Sequence, residues 1–133
     1  EEFYPAGVEP WEPNVTRLLD APRVKWAAQC TPGLAIPTDW GKAEYDKLRE
    51  QLGTLDRLAD DYYSKRDPIM KRSNEILANK DFLGKVGAFE GAGYISEGMY
   101  RPSLDCRMFS LSLVDFCPVC RAAIERQIDF YTR

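Results

Sequence analysis

The sequence predicts an α+β chain, mostly helices and irregular loops with little strand. Three observations carry this. Residues 42–66 repeat apolar positions at helical spacing, residues 81–116 are dense in glycine around one short strand-like run, and Cys117-Pro118 opens a last amphipathic stretch to about residue 131. At 133 residues the chain fits one small domain, 44% of it hydrophobic and 29% charged. A chain of this size buries roughly two-thirds of its unfolded surface, enough for a modest core.

Residues 1–40 carry Pro5, Pro10, Pro13, Pro22, Pro32 and Pro37 among large apolar residues. Each proline removes a backbone donor and biases its predecessor toward extended geometry, so little helix is expected here. Glu9-Pro10-Trp11-Glu12-Pro13 reads as an extended or turning segment with Trp11 anchored on apolar surface. Asn14-Val15-Thr16 is a glycosylation sequon by letter. In the helix expected over 42–66, Tyr45, Leu48, Leu52, Leu55, Ala59 and Tyr62 share one face, and Gly53 costs about 1 kcal/mol without breaking it. Asp67-Pro68 then reads as the cap and first residue of a second helix to about Ala78, burying Ile69, Met70, Ser73, Ile76 and Leu77. The two form a helical hairpin or a kinked rod.

Gly84, Gly87, Gly91, Gly93 and Gly98 mark tight turns or close backbone approach, with Val86–Phe89 as a short strand. Gly91-Ala92-Gly93 lacks the third glycine and the βαβ frame of a dinucleotide fingerprint. In the last helix, Cys120, Ile124, Ile128 and Tyr131 make one face and Arg121, Glu125, Arg126 and Asp129 the other. The opening Glu-Glu-Phe-Tyr reads like the interior of a longer chain, so a processed or trimmed fragment is expected.

The count of histidines is zero. This removes the commonest general acid/base, the commonest metal ligand and every Ser-His or Cys-His nucleophile pair. A net charge of −3 supplies no phosphate-neutralising surface, so nucleic acid is not an expected partner. No apolar run approaches the ~20 residues that span a bilayer.

The four cysteines allow three readings. Cys117-Pro118-Val119-Cys120 at a helix start favours a thiolate, as in dithiol oxidoreductases, and the run Leu111–Phe116 offers a preceding strand, but too few residues follow for that fold. Cys30, Cys106, Cys117 and Cys120 could bind a structural zinc, although a single CxxC pair is a weak signal. The reading adopted is a disulfide between Cys106 and Cys117 or Cys120, worth roughly 3 kcal/mol in the loop-entropy model, with Cys30 free or paired to the remaining cysteine. Asp60-Asp61 read as a solvated helix face. Glu90 and Glu97, near Tyr94, Tyr100 and Arg101, could line a cleft.

Three segments in order carry a resemblance. They are Phe3-Tyr4-Pro5 with Val8 to Thr16; Phe89-Glu90-Gly91-Ala92-Gly93-Tyr94 with Gly98 to Met108; and Phe116-Cys117-Pro118-Val119-Cys120. Together they resemble the C-terminal part of the catalytic domain of the IgA-peptidase family of bacterial zinc metallopeptidases, which is similar to metzincins. The resemblance implies that residues 1–133 are the C-terminal portion of a zincin-like domain. Within it, 41–80 would be a helical insertion, 84–116 a glycine-rich segment with a Met-turn, and 117–131 a terminal helix.

The family's HExxH helix, two histidines on zinc with a glutamate as general base, would lie upstream of Glu1. The resemblance therefore implies a zinc cofactor in the parent enzyme and none held by this chain alone, which is not expected to be active by itself. Its partners would be the N-terminal part of the same peptidase and a protein or peptide substrate, at a secreted, periplasmic or cell-surface location. Cys106-Arg107-Met108 resembles the methionine turn beneath the zinc ligands, making Met108 its candidate. Tyr94, Tyr100 and Arg101 become candidates for substrate contact, where a hydroxyl or guanidinium could stabilise an oxyanion. The alternative is a non-catalytic binding module or a dead relative of the family.

Overall fold

The computed structural model describes residues 4–17, 24–111 and 114–133. Phe3, Pro22 and two residues of the Leu111–Phe116 run lie outside them. The order of elements is α1 (Lys42–Thr54), α2 (Tyr62–Leu77), β1 (Phe89–Ala92), β2 (Ile95–Arg101) and α3 (Pro118–Thr132), with short 3-10 turns at Ala27–Gln29 and Lys80–Phe82. The fold is mixed α+β, mostly helix and loop, as expected. The chain divides into two compact units, Glu1–Thr38 with Gly84–Arg133, and Asp39–Leu83. The second is continuous in sequence and interrupts the first.

The Asp39–Leu83 unit is a helical hairpin. The stretch expected as one helix over 42–66 breaks after Thr54, and Pro68 lies inside α2 rather than at its start. The break has a local cause. Leu55 turns extended, and Asp56 Oδ1 accepts from the Leu58 amide at 2.9 Å, an Asx turn that diverts the backbone. Asp60 and Asp61 lie in this connection, not on a helix face, and Asp61 precedes the first turn of α2. The six apolar residues of the expected face are all half-buried, and Ser73 and Ile76 are buried. Arg72 donates to both carboxylate oxygens of Glu44 at 2.6 and 3.0 Å, linking α2 to α1 across solvent-exposed surface.

In the other unit, β1 and β2 form an antiparallel pair, with Phe89 opposite Arg101, Glu90 opposite Tyr100 and Ala92 opposite Ile95. The strand expected at Val86–Phe89 starts only at Phe89. Upstream, Thr31 and Thr38 occupy the backbone groups a ladder would need. The Val86 amide donates to Thr31 Oγ1 at 2.9 Å, and the Ala88 amide to Thr38 Oγ1 at 3.1 Å. Gly93 and Tyr94, both with positive φ (57° and 65°), make the two-residue turn that joins the strands. Gly91, at φ 101°, sits in a bulge between Glu90 and Ala92. This hairpin turn is what Gly91-Ala92-Gly93 builds, not a phosphate loop.

The N-terminal segment lies along the outer edge of β2, where Thr16 and Tyr100 exchange both backbone hydrogen bonds at 3.1 and 2.9 Å. Lys25 holds that segment in shape by donating to the carbonyls of Pro10, Glu12 and Val15. Trp11 is 88% exposed, so the expected apolar anchoring does not occur. Val15, Ala92 and Met99 form one small core. A second core gathers Val24, Trp26, Val86, Cys106, Cys117, Val119 and Cys120, with Trp26 Nε1 donating to the Gly87 carbonyl at 2.7 Å. Only the first turn of α3 joins that core. Of the residues that share a face with Cys120, Ile124, Ile128 and Tyr131 are 39%, 56% and 77% exposed. The described part of Leu111–Phe116 contains no strand. No helix among the described residues is long and apolar enough to cross a membrane.

Candidate functional site

The site is assembled from two local structures. Cys117 caps α3 in extended geometry, Pro118 fills the first helical position, and the Arg121 amide donates to the Cys117 carbonyl at 2.9 Å. This places Cys117 and Cys120 one above the other at the helix start. Cys106 opens a tight turn, its carbonyl accepting from the amides of Phe109 at 2.8 Å and Ser110 at 3.0 Å. Asp105 Oδ1 fixes that turn by accepting from the Cys106 amide at 2.9 Å and the Ser110 hydroxyl at 2.6 Å. Arg107 then draws the returning chain alongside, donating from its amide to Asp115 and from Nε to Val114.

The result is a cluster of three buried sulfurs, Cys106, Cys117 and Cys120, all within 4.8 Å of one another. No disulfide joins them, in contrast to the expectation for Cys106: all four cysteines are free, and Cys106 and Cys120 Sγ are 3.8 Å apart, where a bonded pair needs about 2.05 Å. Cys30 packs half-buried against the same core, but its sulfur does not join the cluster, so the four-cysteine set is reduced to three. Burial pushes the Cys30 thiol up.

Hydrogen bonding divides the three thiols unequally. The Cys106 thiol is held well below its ordinary range, chiefly by hydrogen bonding with the Cys117 and Cys120 thiols, with help from the backbone amides of Cys117 (3.2 Å) and Met108 (3.5 Å). Cys117 and Cys120 are pushed up, first by their bonds to Cys106. Cys117 is thus buried and held as a thiol, the reverse of what an attacking cysteine needs. Asn14, from the far end of the chain, donates its Nδ2 to Cys120 Sγ at 3.4 Å. That side chain is half-buried and engaged, which argues against the sequon reading. Sequence reasoning missed its role, since nothing local to Asn14 signals a partner 106 residues away.

The cleft candidates are not gathered at one point. Met108 stands at the third position of the Cys106–Phe109 turn, 62% exposed, and lines a cavity of about 50 Å³ with Asn14, Arg101 and the three cysteines. Tyr94 is fully exposed at the hairpin tip, and Tyr100 is half-buried on β2. Arg101 is 4% exposed and turned to main-chain oxygens. It donates to the Leu104 carbonyl from Nε (3.1 Å) and Nη2 (2.9 Å) and to the carbonyls of Glu90 and Gly91 from Nη1, with its guanidinium 3.7 Å over the Phe109 ring. Glu90 accepts from the Gly98 amide at 3.0 Å across the hairpin, while Glu97 is exposed.

A family model described as IgA Peptidase M64 matches residues 2–128. No curated protein matches the chain.

Proposed function

The chain belongs to the IgA peptidase M64 family, and from that premise we propose that it is part of a secreted, zinc-dependent endopeptidase, supplying one side of the substrate cleft. Membership makes peptide-bond hydrolysis the class of activity and a protein or peptide the class of substrate. The observation that carries the finer reading is Met108, an apolar thioether held outward on a turn fixed by Asp105 and by the two amides on the Cys106 carbonyl. Such a side chain suits the floor beneath imidazole rings.

The family implies a catalytic zinc, and the described residues do not fit one. The sequence has no histidine, and the converging ligand set among the described residues is three buried cysteines, a thiolate set of structural rather than water-activating character. The metal ligands and the general base are therefore proposed to come from HExxH in a segment encoded upstream of Glu1. Tyr94 and Tyr100 are proposed to meet substrate. Arg101 acts as a positioning residue, because its guanidinium ties the hairpin carbonyls to the Leu104 turn.

The test compares the 133-residue chain with the gene product extended through its upstream segment. The extended protein is expected to cleave casein in a chelator-sensitive way, and the chain alone is not. Chelator-sensitive hydrolysis by the chain alone, or an upstream segment lacking HExxH, overturns the reading; the second result points to a non-catalytic relative. In the extended enzyme, Met108→Ala is expected to lower kcat/KM at least about tenfold. The same change in the isolated chain leaves Tm unmoved, as expected for an exposed side chain.

A further inference from the structure

We propose that Cys106, Cys117 and Cys120 form a binding site for one zinc-class divalent ion, a structural metal distinct from the family's catalytic zinc. Sulfurs bound about 2.3 Å from a tetrahedral zinc lie about 3.8 Å from each other. The Cys106 and Cys120 sulfurs are 3.8 Å apart, and Cys117 completes a triangle with no edge above 4.8 Å.

Three further features fit anionic sulfur better than packed thiols. Neutral cysteine sulfur is a weak acceptor, yet N–H donors converge on this cluster. The Met108 and Cys117 amides both donate to Cys106, and the Asn14 carboxamide donates to Cys120. These are the outer contacts that orient metal thiolates. Cys117 and Cys120 also occupy the cap and first turn of α3, where the helix dipole favours negative charge. Finally, the 50 Å³ cavity is lined by all three cysteines and Asn14, which leaves space beside them for a fourth ligand. The cavity exceeds the roughly 15 Å³ that one water needs.

Binding replaces thiol protons with the cation, so each ligand thiol that ionises releases one proton. This cross-links the 106–109 turn to the start of α3 without a disulfide.

The experiment uses the 133-residue chain, purified under reducing conditions and desalted, with metal content measured by mass spectrometry. One zinc per chain is expected. Replacement by Co(II) should give intense thiolate-to-cobalt charge-transfer absorption and the d–d bands of a tetrahedral site. That readout needs no variant and so does not depend on a mutant folding. Cys30→Ser should keep full metal content, while Cys106→Ser, Cys117→Ser and Cys120→Ser should each lose it. A reduced, metal-free chain that takes up no Co(II) overturns the proposal. So does a disulfide within the cluster in protein purified without reductant, or metal content that survives Cys106→Ser.

Discussion

The two units of the chain are held together by different kinds of contact. In Asp39–Leu83, the links are shorter in sequence and nearer solvent: α1 and α2 meet through half-buried apolar faces and the exposed Arg72–Glu44 pair. In the unit built from the chain's two ends, the links are distant and buried. Trp26 bonds to Gly87, Thr38 to Ala88 and Asn14 to Cys120. A helical hairpin satisfies its own backbone and needs only a modest apolar face. The glycine-rich unit has little regular structure, so side chains such as Arg101, Thr38 and Lys25 must take up its carbonyls and amides. Each of them is consequently harder to replace, and every candidate site residue lies in that unit.

The largest expected effect follows from removing the main buried cation. Arg101→Ala leaves the carbonyls of Glu90, Gly91 and Leu104 without their donor and should cost about 3 kcal/mol, read as a lowered urea midpoint by tryptophan fluorescence. An unchanged midpoint would mean that water replaces the guanidinium and that the unit is less tightly built than described. Next is Gly87→Ala. Its new methyl would collide with the Thr38 hydroxyl and come within 2.9 Å of Leu34, costing about 2 kcal/mol.

The helical unit offers a change of the opposite sign. Pro68 sits inside α2, where its ring removes the amide that would bond to Ser64. Pro68→Ala should therefore raise stability by about 1 kcal/mol or more, seen as a higher Tm by far-ultraviolet dichroism. A fall in Tm would show that the proline is needed to set the hairpin.

The smallest effect concerns acid. Partial burial pushes Glu9 up, but bonds from Thr16, the Arg17 amide and Lys25 outweigh it and hold the carboxyl below its ordinary 4.5. A carboxyl lowered by folding stabilises the native state above the unfolded value, and that contribution fades as pH falls through the folded value. Glu9→Gln should flatten the decline of Tm below about pH 4.5, and high salt should leave that difference in place because the bonds are partly buried. The Glu44 carboxyl, held low first by its hydrogen bond from Arg72, is exposed, and its acid response should weaken with salt.

Much of the regular structure was legible. The start of α3 was readable because cap and proline are adjacent letters whose meaning is local, and Cys117-Pro118 does in the structure what it predicts. The same logic misplaced the α1–α2 boundary at Asp67-Pro68. A proline in the second turn of a helix removes only one internal bond, and the Asx turn at Asp56 was the stronger signal. The β1–β2 hairpin was hidden because its turn uses Gly93-Tyr94, and tyrosine rarely accepts a positive φ. Of the candidate site residues, Met108 could be placed on a turn through resemblance alone, whereas the burial of Arg101 had no counterpart in its neighbours.

The sequence by itself determined the class of fold, the helices, the absence of imidazole chemistry and the family. These depend on composition, periodicity and short motifs, which act within a few residues along the chain. Only the tertiary structure decided that Cys106, Cys117 and Cys120 meet while Cys30 stands aside, that Asn14 reaches Cys120, and that Arg101 faces inward. Those outcomes depend on where a glycine-rich backbone closes on itself, and that closure is set by side chains drawn from both ends of the chain at once.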